Sequence, residues 1–224
     1  MNTVADIIDL ARKELSDPEF NSVDTYSFYK DSELIEWINN AQQEFSTYTK
    51  CLPDYNSYSL ALTGGIREYD YSTNIIEIQG GRLAASGNRL KVDNYNGIER
   101  RYVMNQADII SFGGWESVSG TPKFIVTDVE ASKLILYPIP TESDTLNLYV
   151  FKVSNEVTSS SDNLEIPTQH RYGLLFRIMS LAFAKLDTTN IQDSAKGLEF
   201  SQRWQSFLQD AKKFYDQRFN RVGK

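Results

Sequence analysis

Residues 59–78, SLALTGGIREYDYSTNIIEI, decide how the rest of the chain is read. Tyr58, Leu60 and Leu62 alternate with Ser59, Ala61 and Thr63. Beyond Gly64-Gly65, Arg67, Tyr69 and Tyr71 alternate with Glu68 and Asp70. A period of two places alternate side chains on opposite faces of a strand. Two such runs around a glycine pair therefore predict a hairpin, because glycine tolerates the positive φ of a tight turn. The rival reading is a phosphate-binding loop. That needs a lysine-serine pair, or a helix opening directly after the glycines. A third strand-like run, NIIEI, follows instead. The glycines are expected to bend the chain, and the segment reads as scaffold.

Downstream, residues 80–120 are glycine-rich and weakly patterned, and they read as short strands with long loops. NQADII (105–110) suggests a helical turn, and SFGGWESVSGTP (111–122) a loop. PKFIVTDVEASKLILYPIP (122–140) predicts a second hairpin bent at Asp128–Ser132, with Phe124 and Val126 on one face and Leu134 and Leu136 following. TLNLYVF (145–151) predicts a strand burying Leu146, Leu148 and Val150. TSSSDN (158–163) is a polar loop.

Helices flank this region. Thr3 and Asp6 have capping-box spacing, and Val4, Ile7, Ile8, Ala11 and Leu15 share a face, with Pro18 as the stop. A second helix starts at Asp31 or Ser32. Its stripe is Leu34, Ile38, Ala41, Phe45, Tyr48 and Leu52, and Pro53 ends it. After the strands, a helix opens at Pro167. One of its stripes is Tyr172, Phe176, Met179, Phe183 and Leu186, and another is Leu175, Ile178 and Ala182, the pattern of a buried helix. The last helix runs from Ile191 to about Phe219, about 40 Å long. Phe200, Trp204, Phe207, Ala211, Phe214 and Arg218 step along it by fours and threes. Helices, then strands, then helices give an α+β chain. Residues 1–55 and 164–224 are expected to pack as a helical bundle around an inserted, mostly antiparallel β domain, 56–163.

Composition removes whole classes of function. Among 224 residues there is one cysteine, Cys51, and one histidine, His170. Intrachain disulfides, multi-cysteine zinc sites and histidine clusters are therefore excluded, and a reducing compartment is the default. Carboxylate-only Mg²⁺ or Ca²⁺ sites stay open, though no EF-hand spacing appears; no metal site, cofactor or catalytic residue is expected. A net charge of −7 argues against a protein that coats nucleic acid. No apolar run is long enough to span a membrane. The first fifteen residues read as a helix rather than a signal peptide.

The candidate chemistry is sparse. His170 sits at a helix start beside Arg171, with no G-x-S-x-G anywhere, so a hydrolase built on it is the weakest reading. Cys51 reads as a small packed residue. Glu130, Glu142 and Asp144 fall in hairpin loops, where solvation explains them. The chain holds 13 Tyr, 12 Phe and 3 Trp, enough for sugar stacking or for protein interfaces. A carbohydrate-binding or adhesion module on the sheet is thus the alternative reading. The last helix stands apart. Arg203, Lys212, Lys213, Arg218, Arg221 and Lys224 outweigh Asp210 and Asp216, and Trp204, Phe207, Phe214, Tyr215 and Phe219 lie among them. Aromatics interleaved with cations on an acidic chain suit docking to an acidic partner.

Several short motifs, in this order, resemble the head-to-tail adaptor proteins of short-tailed bacteriophages, the tail tubular protein A group. They are DSELIEWINNAQQEF, LTGGIREYDYSTNIIEI, GTPKFIV, LILYPIP and IPTQHRYGLLFRIMSLAFAKL, over residues 30–187. Ser72 and Thr73 stand where that family usually has proline. The resemblance implies a virion protein made in the host cytoplasm and placed at the head–tail junction. It forms a ring, usually of twelve copies, beneath the portal. Its partners are the portal protein, adjacent copies of itself and a downstream tail or nozzle protein. Genomic DNA passes through the lumen without specific binding. The resemblance brings no catalytic residue. An acidic body is what a DNA-conducting bore needs, because like charge keeps the duplex from adhering. The portal-facing element is expected to be the last helix, 191–224.

Overall fold

The computed structural model describes residues 2–16, 29–98, 117–186 and 191–220. Helices come first, strands next and helices last, so the chain is α+β. Its elements gather into two compact units. One is built from the segments before Pro53 and after Lys152, the other from Pro53–Lys152.

The helical unit begins with α1 (Val4–Leu15), whose capping box forms as its spacing predicts. The Thr3 hydroxyl accepts from Asp6 N at 3.3 Å, and Asp6 Oδ2 accepts from Thr3 N at 3.1 Å. The polar loop at 158–163 takes up two more amides of the first turn, with Val4 N donating to Asp162 O and Ala5 N to Ser160 O. The helix ends at Ser16, which turns left-handed at φ 53°. Pro18, the expected stop, lies outside the described residues. Arg12 is buried on the inner face of α1. Its guanidinium donates to Tyr29 O and to Asp31 Oδ1, which ties α1 to the start of α2 (Asp31–Thr49).

In α2, Leu34, Ile38, Ala41 and Phe45 are fully buried, as their spacing requires. Tyr48 is not. It is 42% exposed, and Gln42, Ser46 and Thr49 are buried in its place. The stripe drifts because 3.6 residues per turn carries a three-four ladder off the core face by its fourth turn. Lys50, left-handed at φ 53°, ends the helix before Pro53 is reached. Asn39 grips the backbone of Val157 from both sides, donating from Nδ2 to its carbonyl and accepting its amide at Oδ1.

The segment after Pro167 starts as a 3-10 helix, Thr168–Gly173, and becomes α-helical only in α3 (Leu174–Leu186). That tighter first turn rotates Tyr172 out of its expected stripe, and it is 54% exposed. Leu175, Ile178, Met179, Ala182 and Phe183 are buried. The last helix, α4 (Ile191–Asn220), has 30 residues and a length of about 45 Å.

The β unit departs from the expected hairpin. Residues 59–62 form β2 and 68–70 form β3, but they do not pair with each other. β2 lies antiparallel to β10 (Asp144–Lys152), Leu60 opposite Leu146, while β3 lies antiparallel to β8 (Lys133–Tyr137), Tyr69 opposite Leu134. The sheet runs from β2 through β10, β4 (Ile75–Leu83), β5 (Arg89–Asn94), β7 (Phe124–Thr127) and β8 to β3. A short β1 (Pro53–Asp54) also pairs with β10. Seven strands laid flat would set β2 and β3 about 29 Å apart. The link of residues 63–67 reaches at most about 20 Å. The sheet must therefore curl until its two edges converge.

The turn itself is as expected. Ile66 N donates to Thr63 O, Gly65 takes φ 82°, and the Tyr69 hydroxyl bonds the carbonyls of Thr63 and Ile66. Alternation cannot reveal which strands pair. What separates β2 from β3 is the β8–β10 connection, which crosses the same gap. Gly65 N donates to Pro140 O at 2.7 Å, and a Cβ on Gly64 would stand 2.7 Å from Thr141 O.

Gly80 and Gly81 also read differently in space. They lie inside β4, a nine-residue strand, and not in a loop. A Cβ on Gly81 would meet Leu146 Cδ1 at 2.7 Å and Ile125 Cδ1 at 2.9 Å, so the missing side chain lets the curled sheet close on its own core. That core holds Leu62, Leu83, Leu90, Ile125, Leu134, Leu136, Leu146 and Leu148. The predicted β7–β8 hairpin is present, with Phe124 opposite Tyr137 and Ile125 opposite Leu136. Phe124 and Val126 do share a face, but with Ile135 and Tyr137. Leu134 and Leu136 point to the other side. Residues 99–116, including NQADII, lie outside the described residues. Ser119–Gly120 form β6, paired in parallel with β9 (Ile139–Pro140). All other pairings are antiparallel except β5 with β7.

Because the Thr141 carbonyl is main chain on a hydrogen-bonded strap, it cannot swing away from a new methyl group. Gly64→Ala is expected to lower stability by about 1–3 kcal/mol, measured as a shift in the urea midpoint at unchanged m-value.

Candidate docking surface

The last helix divides into three stripes. Trp204, Leu208, Ala211 and Tyr215 face inward and are almost fully buried. Trp204 and Tyr215, both expected at a docking site, thus belong to the core of the helical unit. The Trp204 indole N–H and the Tyr215 hydroxyl find no hydrogen-bond partner among the described residues. Burial holds them in place, and it pushes the Tyr215 hydroxyl well above the ordinary phenol range.

One flank of α4 turns toward α2. Lys212 Nζ lies 5.5 Å from the centroid of the exposed Tyr48 ring, a cation–π arrangement. Asn40, Gln43, Thr47 and Lys50 complete a shallow groove beside them. Lys213 is exposed further round and pairs with Asp210 at 3.3 Å. Phe219 is half-buried and stacks on Tyr215. Arg221 and Lys224 lie outside the described residues.

The opposite flank turns toward residues 168–176. Phe207 is its hub, with ring centroids 5.4 Å from Phe45, 5.9 Å from His170, 6.2 Å from Phe176 and 5.7 Å from Trp204. A Cβ on Gly173 would overlap the outer edge of the Phe207 ring, so glycine at 173 lets the helix approach this closely. Phe214 meets His170 at 5.8 Å and Tyr172 meets Phe176 at 6.0 Å. The result is a continuous aromatic band whose ends, Phe214 and Tyr172, are 47% and 54% exposed. Arg203 and Arg218 are exposed on the same flank. Arg203 pairs with Glu199 one turn back, and Arg218 makes no ion pair among the described residues.

Sequence alone identified the aromatic-cationic character of α4 but not this division. It also missed Tyr48 and Tyr172, whose positions in apolar stripes concealed their exposure. A helix-start proline with a glycine six residues on is the one local sign that Tyr172 precedes the regular helix.

The candidate catalytic groups fall in both units, His170 and Cys51 in the helical one and Glu130, Glu142 and Asp144 in the β unit. The ring neighbours of His170 are Phe45, Phe207, Phe214 and Tyr215, and its Nε2 has no partner among the described residues. Burial lowers its pKa below the ordinary imidazole range. Cys51 is buried, which pushes its thiol up to about 11 and keeps it protonated. Glu130 pairs with Lys133 at 2.8 Å. Asp144 Oδ1 accepts the amides of Ala85 and Thr145. Glu142 lies on the rim of a small depression beside Pro122 and Pro140. No group of three or more metal-capable side chains gathers among the described residues, and no helix there is long and apolar enough to cross a membrane.

Two measurements check this arrangement. Gly173→Ala must displace Phe207 from its seat, so a loss of about 2–4 kcal/mol is expected on the scale of core overpacking and lost aromatic packing, read by chemical denaturation. His170 has a depressed folded pKa, so the unfolded chain binds its proton more readily. Its contribution is complete above the unfolded value of about 6.5 and is lost as pH falls through it. The melting temperature should drop between pH 7 and pH 5, and His170→Phe should flatten that part of the drop.

A family profile described as SU10 adaptor protein matches residues 2–223. No curated protein matches the chain. That family is one of structural adaptors and not of enzymes. The match extends from the first turn of α1 past the end of α4, so it takes in both the curled sheet and the helices that carry the aromatic flank. This chain belongs to the SU10 adaptor family, phage proteins of the virion's head-to-tail connector.

Proposed function

We propose that the protein is one subunit of a ring, of twelve copies as the resemblance implies, seated beneath the portal and joining the capsid to the tail. Genomic DNA passes through its bore without specific binding. A net charge of −7 supports that passage, since an acidic lining repels the duplex. Within the ring, α4 is the element that docks on the portal, and a downstream tail protein takes the opposite side.

The observation that carries this reading is the exposed cationic and aromatic surface of α4 on an otherwise acidic chain. Residues 191–224 hold seven Lys and Arg against four Asp and Glu, while residues 1–52 hold four against ten. Arg203, Lys212, Lys213, Phe214 and Arg218 are available at that surface, with Phe207 and Phe219 half-buried beside them.

Removing α4 does not test the proposal, because truncation also takes Trp204, Leu208 and Tyr215 out of the core. Charge reversal on the surface does. Lys212→Glu with Lys213→Glu should leave the circular dichroism spectrum and melting temperature intact. It should weaken capture by the portal protein of the same phage by about tenfold or more, with a smaller salt dependence. Unchanged capture would remove α4 from the portal contact.

A further inference from the structure

The aromatic band between α4 and residues 168–176 has the composition of an interface core. Tyr172, Phe176, Phe207 and Phe214 form a continuous ring surface, and Arg203 and Arg218 border it. Tyrosine, phenylalanine and arginine are the residues enriched where proteins meet, and lysine and carboxylates are depleted there. Half-exposed rings at both ends of the band leave apolar area in water that the chain's own core does not cover. This flank is separate from the Lys212 side of α4, because the buried row Trp204, Leu208, Ala211 and Tyr215 runs between them.

The same chain carries a surface of opposite character. On α1 and α2, Asp9, Glu14 and Glu36 are exposed and pair with nothing among the described residues. Leu10, Ile35 and Trp37, their neighbours along the chain, are partly buried at the edge of the helical core. Partly covered apolar side chains with unpaired carboxylates complement rings bordered by two arginines, Arg203, which pairs only within its own helix, and Arg218. In a closed ring every subunit contact is head-to-tail, so one patch must fit a different patch on the next copy. Two unlike, complementary patches on one chain meet that requirement.

We propose that the Tyr172–Phe207–Phe214 band of one copy, with Arg203 and Arg218, docks on the acidic α1–α2 surface of the next copy. This rests on the ring reading above, and it assigns the two flanks of α4 to different partners. Lys212 and Lys213 serve the portal, and the aromatic flank serves the neighbouring subunit.

The test is self-association of the purified full-length protein, without portal, by sedimentation equilibrium up to about 1 mM, the weak end of specific binding. The wild type should associate. Arg203→Glu with Arg218→Glu should weaken association about tenfold or more, and Asp9→Lys with Glu36→Lys should do the same. Each double variant should melt like the wild type. The decisive sample is the two variants mixed in equal amounts. Association should return, because each then offers the other a complementary patch. Tyr172→Ala should weaken association in the wild-type background. A wild type that stays monomeric throughout overturns the proposal, as does a mixture no stronger than its separate components. Portal capture by the arginine variant keeps the two ideas apart. If capture survives while self-association is lost, both stand. If self-association is unaffected and capture survives, only the subunit contact fails.

Discussion

The seat of Phe207 on Gly173 is the contact on which the helical unit depends. The ring occupies the space that any larger residue at 173 would fill, and from there it touches Phe45, His170, Phe176 and Trp204. α4 is thereby fixed against α2 and the 3-10 segment at one point, and the rest of its orientation follows. Trp204, Leu208, Ala211 and Tyr215, one apolar stripe at helical spacing, are buried beside it. Each large apolar group buried in this way contributes about 1.5–3 kcal/mol. The helix is therefore both a wall of the core and the carrier of the surface. The rings at its edge hold fixed positions, so a partner meeting them would lose little side-chain freedom in ordering them.

In the β unit the equivalent constraint is closure. Two connections, 63–67 and 138–143, cross between the same pair of sheet edges and bond to one another through Gly65 N and Pro140 O. Glycine is needed at 64 and 81 for close approach and at 65 for a positive φ, two separate reasons at three positions. Among the described residues of this unit no group of metal-capable side chains gathers. Glu68 and Glu130 pair with Lys133, Asp54 and Asp144 cap amides, and most of its apolar side chains fill two clusters, one on each side of the sheet. Such a unit offers a stiff frame, which suits a protein whose family joins other virion components.

Much of this was legible from spacing. The capping box at Thr3, the start of α2, the β7–β8 hairpin, the buried face of Leu146, Leu148 and Val150, and the long final helix all follow from local periodicity and turn chemistry. The aromatic-cationic character of α4 was equally plain. Each of these depends on residues close together in the chain, where hydrogen bonding and side-chain direction act over a turn or a strand. The errors have a common origin. The 59–78 segment alternates as a hairpin does, yet its halves pair with β10 and β8. Trp204 and Tyr215 look like partners for another protein, yet they fill the core. Tyr48 and Tyr172 look like core, yet they are exposed.

The sequence by itself determined where the long helices and the clearly alternating strands lie, that no intrachain disulfide or histidine-rich site exists, and that opposite charges collect toward the two ends of the chain. These are properties of composition and of neighbours within a few residues. Only the tertiary structure decided which strands pair, where the sheet closes, and which aromatic residues of α4 meet water. An alternating pattern states that a strand has two faces but not what lies beside it. A stripe of rings states that a helix has an apolar side but not how wide a partner covers it. Both questions are answered by contacts between residues far apart in the chain, such as Gly65 with Pro140 and Gly173 with Phe207.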